Sequence, residues 1–107
     1  TSHVHLIIGT ESGVLSDIVR DFKSFTSRHI RKAIESNVYE SRREWMLSLM
    51  YTSGIENERN KYFQFWQQHN HPIELNTAEM LEQRLAYIHN NPVALGLVEK
   101  EEEWVHS

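Results

Sequence analysis

Thr1-Ser2-His3-Val4-His5-Leu6-Ile7-Ile8-Gly9 is the stretch on which the reading of the fold turns. A run of apolar, largely β-branched residues closed by glycine predicts a strand. Successive side chains of a strand point to opposite faces, so His3 and His5 project together while Val4, Leu6 and Ile8 project the other way. Two imidazoles side by side at the edge of a core are a candidate divalent-metal site. The plainer alternative is a chance pair of histidines that only pack.

Downstream, a polar turn, Thr10-Glu11-Ser12-Gly13, leads to Ser16 as a helix N-cap, with Asp17 at the positive end of the helix dipole. Leu15, Ile18, Val19, Phe22, Phe25, Ile30, Ala33 and Ile34 recur at spacings of three and four, which predicts an amphipathic helix to about Ser36. Its other side carries Arg20, Lys23, Ser27 and Arg31, with Ser24 alongside: either a solvated face or a row of phosphate contacts. Tyr39-Glu40-Ser41 opens a second helix, containing Trp45, Leu47, Leu49 and Met50 and ending near Gly54. The run Lys61 to Gln68, with Phe63 and Phe65 alternating, predicts another strand, followed by a turn at Asn70-His71-Pro72. Phe63, Phe65 and Trp66 are either core or stacking faces for unpaired bases. His69 and His71 repeat the one-residue spacing, but in a polar turn beside proline. The last helix opens on Asn76-Thr77-Ala78-Glu79, with the form of a capping box in which Asn76 is the cap, and is expected to stop by Asn91 because Pro92 follows. Gln83, Tyr87 and Asn91 are i,i+4 neighbours on one face of it. Tyr87 and Asn91 therefore either meet one small site together or serve as a buried tyrosine and a C-capping amide. Glu99 to Glu103 form an acidic surface, with Trp104 and Val105 anchoring the tail.

Composition narrows the classes. The chain has 107 residues, no cysteine and a formal charge of −4. One modest domain fits that length. Thiolate metal sites and disulfides are excluded, which fits a reducing, cytoplasmic setting. No segment has the length and apolarity of a membrane span, so no membrane partner is expected. The charge is uneven: Arg20, Lys23, Arg28, Arg31 and Lys32 face three acids between Asp17 and Glu35, whereas six glutamates face Arg84 and Lys100 from Asn76 onward. An anionic partner is therefore sought on the first helix.

His3-Val4-His5-Leu6-Ile7-Ile8, Leu15 to Lys23, Phe25-Thr26-Ser27, Phe65-Trp66-Gln67-Gln68, Asn70 to Leu75 and Tyr87-Ile88-His89-Asn90-Asn91-Pro92-Val93 together resemble the HUH single-strand DNA transposases, in the REP-associated tyrosine transposase branch of the IS200-like superfamily. The resemblance implies an α+β, ferredoxin-like fold: an antiparallel sheet flanked by helices, with the His-Val-His strand central. It implies a metal-dependent strand transferase that cuts and rejoins hairpin-associated single-stranded DNA through a 5′-phosphotyrosine. Carried over, Tyr87 matches the nucleophile, His3 and His5 match metal ligands, and Asn91 stands where the family places a third. The metal would be Mg²⁺ or Mn²⁺, the basic face with Arg20, Lys23, Ser27 and Arg31 would lie along the DNA, and a homodimer is compatible with the family. Thr1-Ser2 replaces the family's Pro-Asn, and Val105-His106-Ser107 stands where it carries Tyr-Ser-Ser. Residues 1–107 are accordingly expected to form a single HUH domain incomplete at both ends, without its first strand and helix. The alternative function is an inactive, hairpin-binding remnant of such an enzyme.

Overall fold

The computed structural model describes residues 3–57 and 62–105. All regular structure among them is helical: α1 (Leu15–Ser36), α2 (Arg43–Ile55), α3 (Ala78–Ala94) and a 3₁₀ turn at Glu101–Glu103. The chain divides into two compact units, one made of Thr10–Asn70 and the other of Thr1–Gly9 with His71–Ser107. None of the helices is long and apolar enough to cross a membrane.

The ferredoxin-like antiparallel sheet expected above is not formed: no strand exists among the described residues. A strand is stable only when a neighbour supplies the ladder. Residues 3–9 make no backbone hydrogen bond to another described segment, and Val4, Leu6 and Ile8 of the expected core face are 58%, 55% and 45% exposed. The alternation is present, but no second strand answers it. The central-strand role assigned to His3-Val4-His5 is corrected with it.

In the Thr10–Asn70 unit, α1 begins one residue before the expected cap. Val14 occupies the N-cap without a side-chain bond, and Ser16 falls inside the first turn with Asp17. The helix ends at Ser36 as its periodicity requires, and Asn37 Oδ1 accepts from Tyr39 N at 3.2 Å to form the turn that follows. The start of α2 is held by Glu40, whose carboxylate accepts from the backbone N (3.0 Å) and Nε (3.1 Å) of Arg42. The Arg42 side chain, then its backbone N–H, hold the Glu40 carboxyl below the usual carboxylate range. A lowered folded-state value means that this contact stabilises at neutral pH and is lost as pH falls through it.

The second expected strand is replaced by a different use of the same pattern. Gln64 N donates to Met50 O at 2.8 Å, the Arg31 guanidinium lies 4.4 Å from the centre of the Phe63 ring, Trp66 Nε1 donates to Thr26 Oγ1 at 2.8 Å, and Lys23 Nζ donates to Gln67 O at 2.7 Å. As residue numbers rise from 63 to 67, their partners on α1 fall from 31 to 23. The run therefore lies antiparallel along α1. Lys23 to Arg31 covers about 12 Å of helix, and Phe63 to Gln67 covers about 13 Å if drawn out. The lengths match, so a stretched aromatic run is laid on a helix instead of beside another strand. Met50 is the one buried apolar side chain among the described residues of this unit.

In the other unit, Thr77 rather than Asn76 caps α3, its Oγ1 accepting from Met80 N at 3.1 Å. The helix also runs through Pro92, which is buried inside it, and stops at Ala94. The stop signal is Gly96, at φ +68°. Leu97 N donates to Pro92 O and Gly96 N to Val93 O, both at 2.9 Å. These are the two bonds of a Schellman motif, which satisfies carbonyls that the helix end would otherwise leave open. Glu103 Oε2 accepts from Glu99 N (3.0 Å) and Lys100 N (3.2 Å), so the acidic run is exposed but partly self-capped. Trp104 is half-buried, whereas Val105 is exposed.

Gly54 is buried within α2, and a Cβ there would lie 2.5 Å from Phe63 N and 2.7 Å from Phe63 C. Backbone cannot step aside as a side-chain tip does. Gly54→Ala is therefore expected to lower stability by about 1–3 kcal/mol through overpacking, despite alanine's better helix propensity. Thermal unfolding read by circular dichroism checks this, and an equal or higher Tm would show that the contact does not constrain the fold.

Candidate active site

The histidine pair and the tyrosine, eighty-two residues apart from His5 to Tyr87, lie in the same unit and meet. The His3 and His5 ring centroids are 4.8 Å apart at an interplanar angle of 86°. The His5 and Tyr87 centroids are 5.4 Å apart at 87°. His5 is thus the middle ring of an edge-to-face cluster, a favourable aromatic geometry. Tyr87 is presented by the middle of α3 and is 52% exposed, which leaves its phenol within reach of a large substrate. Asn91 follows one helical turn later on the same face and is half-buried. Because α3 continues through Pro92 to Ala94, Asn91 lies within the helix and Leu95 occupies its C-cap.

His5 supplies the most informative atom. Its Nε2 is buried and has no hydrogen-bond partner among the described residues. Buried polar atoms are rarely left so, and a ring nitrogen reserved for a metal is one physical explanation. Among the described residues no group of three His, Cys, Asp or Glu side chains is placed to hold an ion. A cation at His3 and His5 therefore needs an amide such as that of Asn91, together with water. That nitrogen-and-oxygen donor set suits Mn²⁺ and accommodates Mg²⁺.

The basic face of α1 is less uniform than its spacing suggests. Arg20 is tied to Asp17 at 2.7 Å and Asp21 at 3.0 Å, and these acids, the Asp21 hydrogen bond foremost, raise its pKa above the ordinary guanidinium value. Arg31 Nε lies 3.3 Å from Glu35 Oε1, close enough for an ion pair but not aligned as a hydrogen bond, and its guanidinium covers Phe63. Ser27 Oγ donates to Ser24 O at 3.2 Å. Lys23 differs: it donates to Gln67 O at 2.7 Å and Asn70 Oδ1 at 2.8 Å, both neutral acceptors. Its positive charge is therefore not matched by an acid. Lys23, Ser24 and Ser27 line a groove of about 300 Å³ with Gln64, Phe65, Trp66, Gln67 and Gln68.

The amides of this groove are what the sequence reading passed over. The available signal was that amides flank the adjacent Phe65 and Trp66, Gln64 before them and Gln67 and Gln68 after. His69 and His71 lie in left-handed backbone, at φ +68° and +46°, on either side of Asn70 and just before Pro72.

If the His5 nitrogen is reserved for a metal, replacing the ring by phenyl removes an unpaired polar atom while keeping the edge-to-face contacts. In EDTA, His5→Phe should be as stable as the natural chain or more stable by about 1 kcal/mol. Mn²⁺ should raise the Tm of the natural chain and not that of the variant. Absence of a Mn²⁺ shift in the natural chain, measured by scanning calorimetry, would remove the metal reading.

No protein-family model matches this chain, and no curated protein or solved structure matches it.

Proposed function

We propose that the chain is a metal-dependent single-strand DNA transferase in which Tyr87 is the nucleophile. The observation that carries this reading is the meeting of Tyr87 with the His3–His5 pair, whose central ring keeps an unpartnered buried nitrogen. Three side chains picked out by a resemblance, two at one end of the sequence and one far downstream, share one small cluster.

His3, His5 and Asn91 are the residues that would hold a divalent cation, which when bound polarises the phosphate and neutralises developing charge. Tyr87 performs the group transfer. Its Oη forms a bond to the scissile phosphorus as the bond from phosphorus to the 3′ oxygen breaks. The phenolic proton leaves to solvent and the departing 3′ oxygen takes one up, giving a 5′-phosphotyrosine and a free 3′-OH. The phosphotyrosyl ester keeps the energy of the broken diester, so a 3′-OH can attack it in the reverse sense without ATP. The half-exposed position of Tyr87 on a helix suits an attack on a polymer, which a buried phenol could not reach.

Incubation of labelled single-stranded hairpin DNA with the chain and Mn²⁺ should yield a covalent adduct. Tyr87→Phe should reduce its rate by about 10³-fold or more, since the attacking atom is gone. Tight hairpin binding without an adduct would instead favour a binding remnant.

His3→Ala and His5→Ala should each lose cleavage by far more than they lose DNA affinity, compared by adduct yield and by fluorescence anisotropy. Equal loss of both would mean that the rings only pack.

A further inference from the structure

We propose that the groove lined by Lys23, Ser24, Phe65, Trp66 and Gln68 binds one unpaired nucleotide, with its phosphate at Lys23 and its base against the two aromatic rings. The strand as the source of that nucleotide rests on the function proposed above; the groove chemistry does not.

Three features of the groove converge on this ligand. The first is charge. Arg20 and Arg31 are accompanied by carboxylates, whereas Lys23 is held by two neutral oxygens. An ammonium has three N–H donors, so the two bonds fix the position of Lys23 and leave one donor and the whole charge for an anion. Ser24 Oγ, next along α1 and in the same lining, has no partner among the described residues and adds a second donor.

The second feature is the aromatic wall. Trp66 is half-buried and its indole N–H is committed to Thr26 Oγ1 at 2.8 Å, which fixes the ring plane. Phe65 stands edge-on to it, with centroids 5.0 Å apart at 88°. A fixed indole beside a phenyl ring is a surface on which any base can stack. Gln67 and Gln68 bring amides, which both donate and accept and so pair with base edges.

The third feature is size. A groove of about 300 Å³, open to solvent, lies at the small end of ligand sites and has room for one nucleotide. A carboxylate ligand such as an acidic peptide would satisfy Lys23 and leave the aromatic wall unused.

The test uses the full chain carrying Tyr87→Phe, in EDTA, so that binding is read without chemistry. The probe is a twelve-residue oligothymidylate containing one 5-iododeoxyuridine. Irradiation should cross-link it to Trp66 or Phe65. Lys23→Met should weaken binding about tenfold and flatten the slope of log K against log salt by about 0.7, the loss of one phosphate contact on a single strand. Because Lys23 also ties down Gln67 and Asn70, Gln68→Glu is the second variant. It disturbs no bond of the fold and should weaken binding at least as much by placing a carboxylate in the groove.

Cross-links confined to residues outside the groove, or Gln68→Glu binding as tightly as its parent, would overturn the proposal. Thymidine 5′-monophosphate should displace the probe only at far higher concentration. Displacement at equal concentration would overturn the strand as the source and make a free nucleotide the ligand. Equal binding of polyglutamate would overturn the nucleotide altogether. A chain that forms the Tyr87 adduct but ignores Gln68→Glu sinks the groove alone. One that binds the probe through the groove but never forms an adduct sinks the transferase alone.

Discussion

The close approach of the Phe63 backbone to Gly54 is the constraint on which the Thr10–Asn70 unit depends. Any side chain at position 54 would occupy space that Phe63 fills. Without that approach, Gln64 N could not reach Met50 O, and the residues that follow would lose their register along α1. Register in turn decides the chemistry. It is what sets Trp66 at Thr26 and Gln67 at Lys23, and therefore what turns a stretch of helix surface into one wall of a groove. The absence of one methyl group thus has consequences for the placement of several side chains.

In the other unit the organising feature is the length of α3. Proline in a helix removes a donor and crowds the preceding turn, yet Pro92 is buried and the helix passes through it. Termination is supplied four residues later by Gly96, where the absence of a Cβ makes the left-handed backbone accessible and the Schellman bonds close the end. Tyr87 consequently projects from an intact helix rather than a fraying end. For the role proposed for Tyr87 a rigid element is an advantage, because small displacements at a reacting centre cost much rate.

The helices were largely legible in the sequence. The apolar spacing from Leu15 to Ile34 delimits α1 almost to the residue at its C-terminal end, and the Thr77–Met80 region announces α3 although the cap is Thr77, not Asn76. The strands were not legible, for a physical reason. Alternation in His3 to Ile8 and in Phe63 to Phe65 reports a preference of each segment alone, whereas a strand is a property of two segments and their hydrogen-bond ladder. The candidate site divides in the same way. His3, His5 and Tyr87 could be chosen by residue type and spacing. The orphaned nitrogen on His5 and the neutral partners of Lys23 could not, because both depend on which atoms arrive from elsewhere.

By itself, then, the sequence determined the positions and approximate lengths of three helices, the absence of thiol chemistry, and a short set of residues able to hold a metal, attack a phosphate or contact an anion. These follow from covalent structure and from local periodicity, which act within a few turns of chain. Only the tertiary structure decided that the aromatic run lies on a helix and not in a sheet. It also separated one cation of the α1 face from two that are neutralised, and brought His5 into ring contact with Tyr87. Those outcomes rest on partners distant in sequence, whose arrival depends on packing and loop closure that no local pattern encodes.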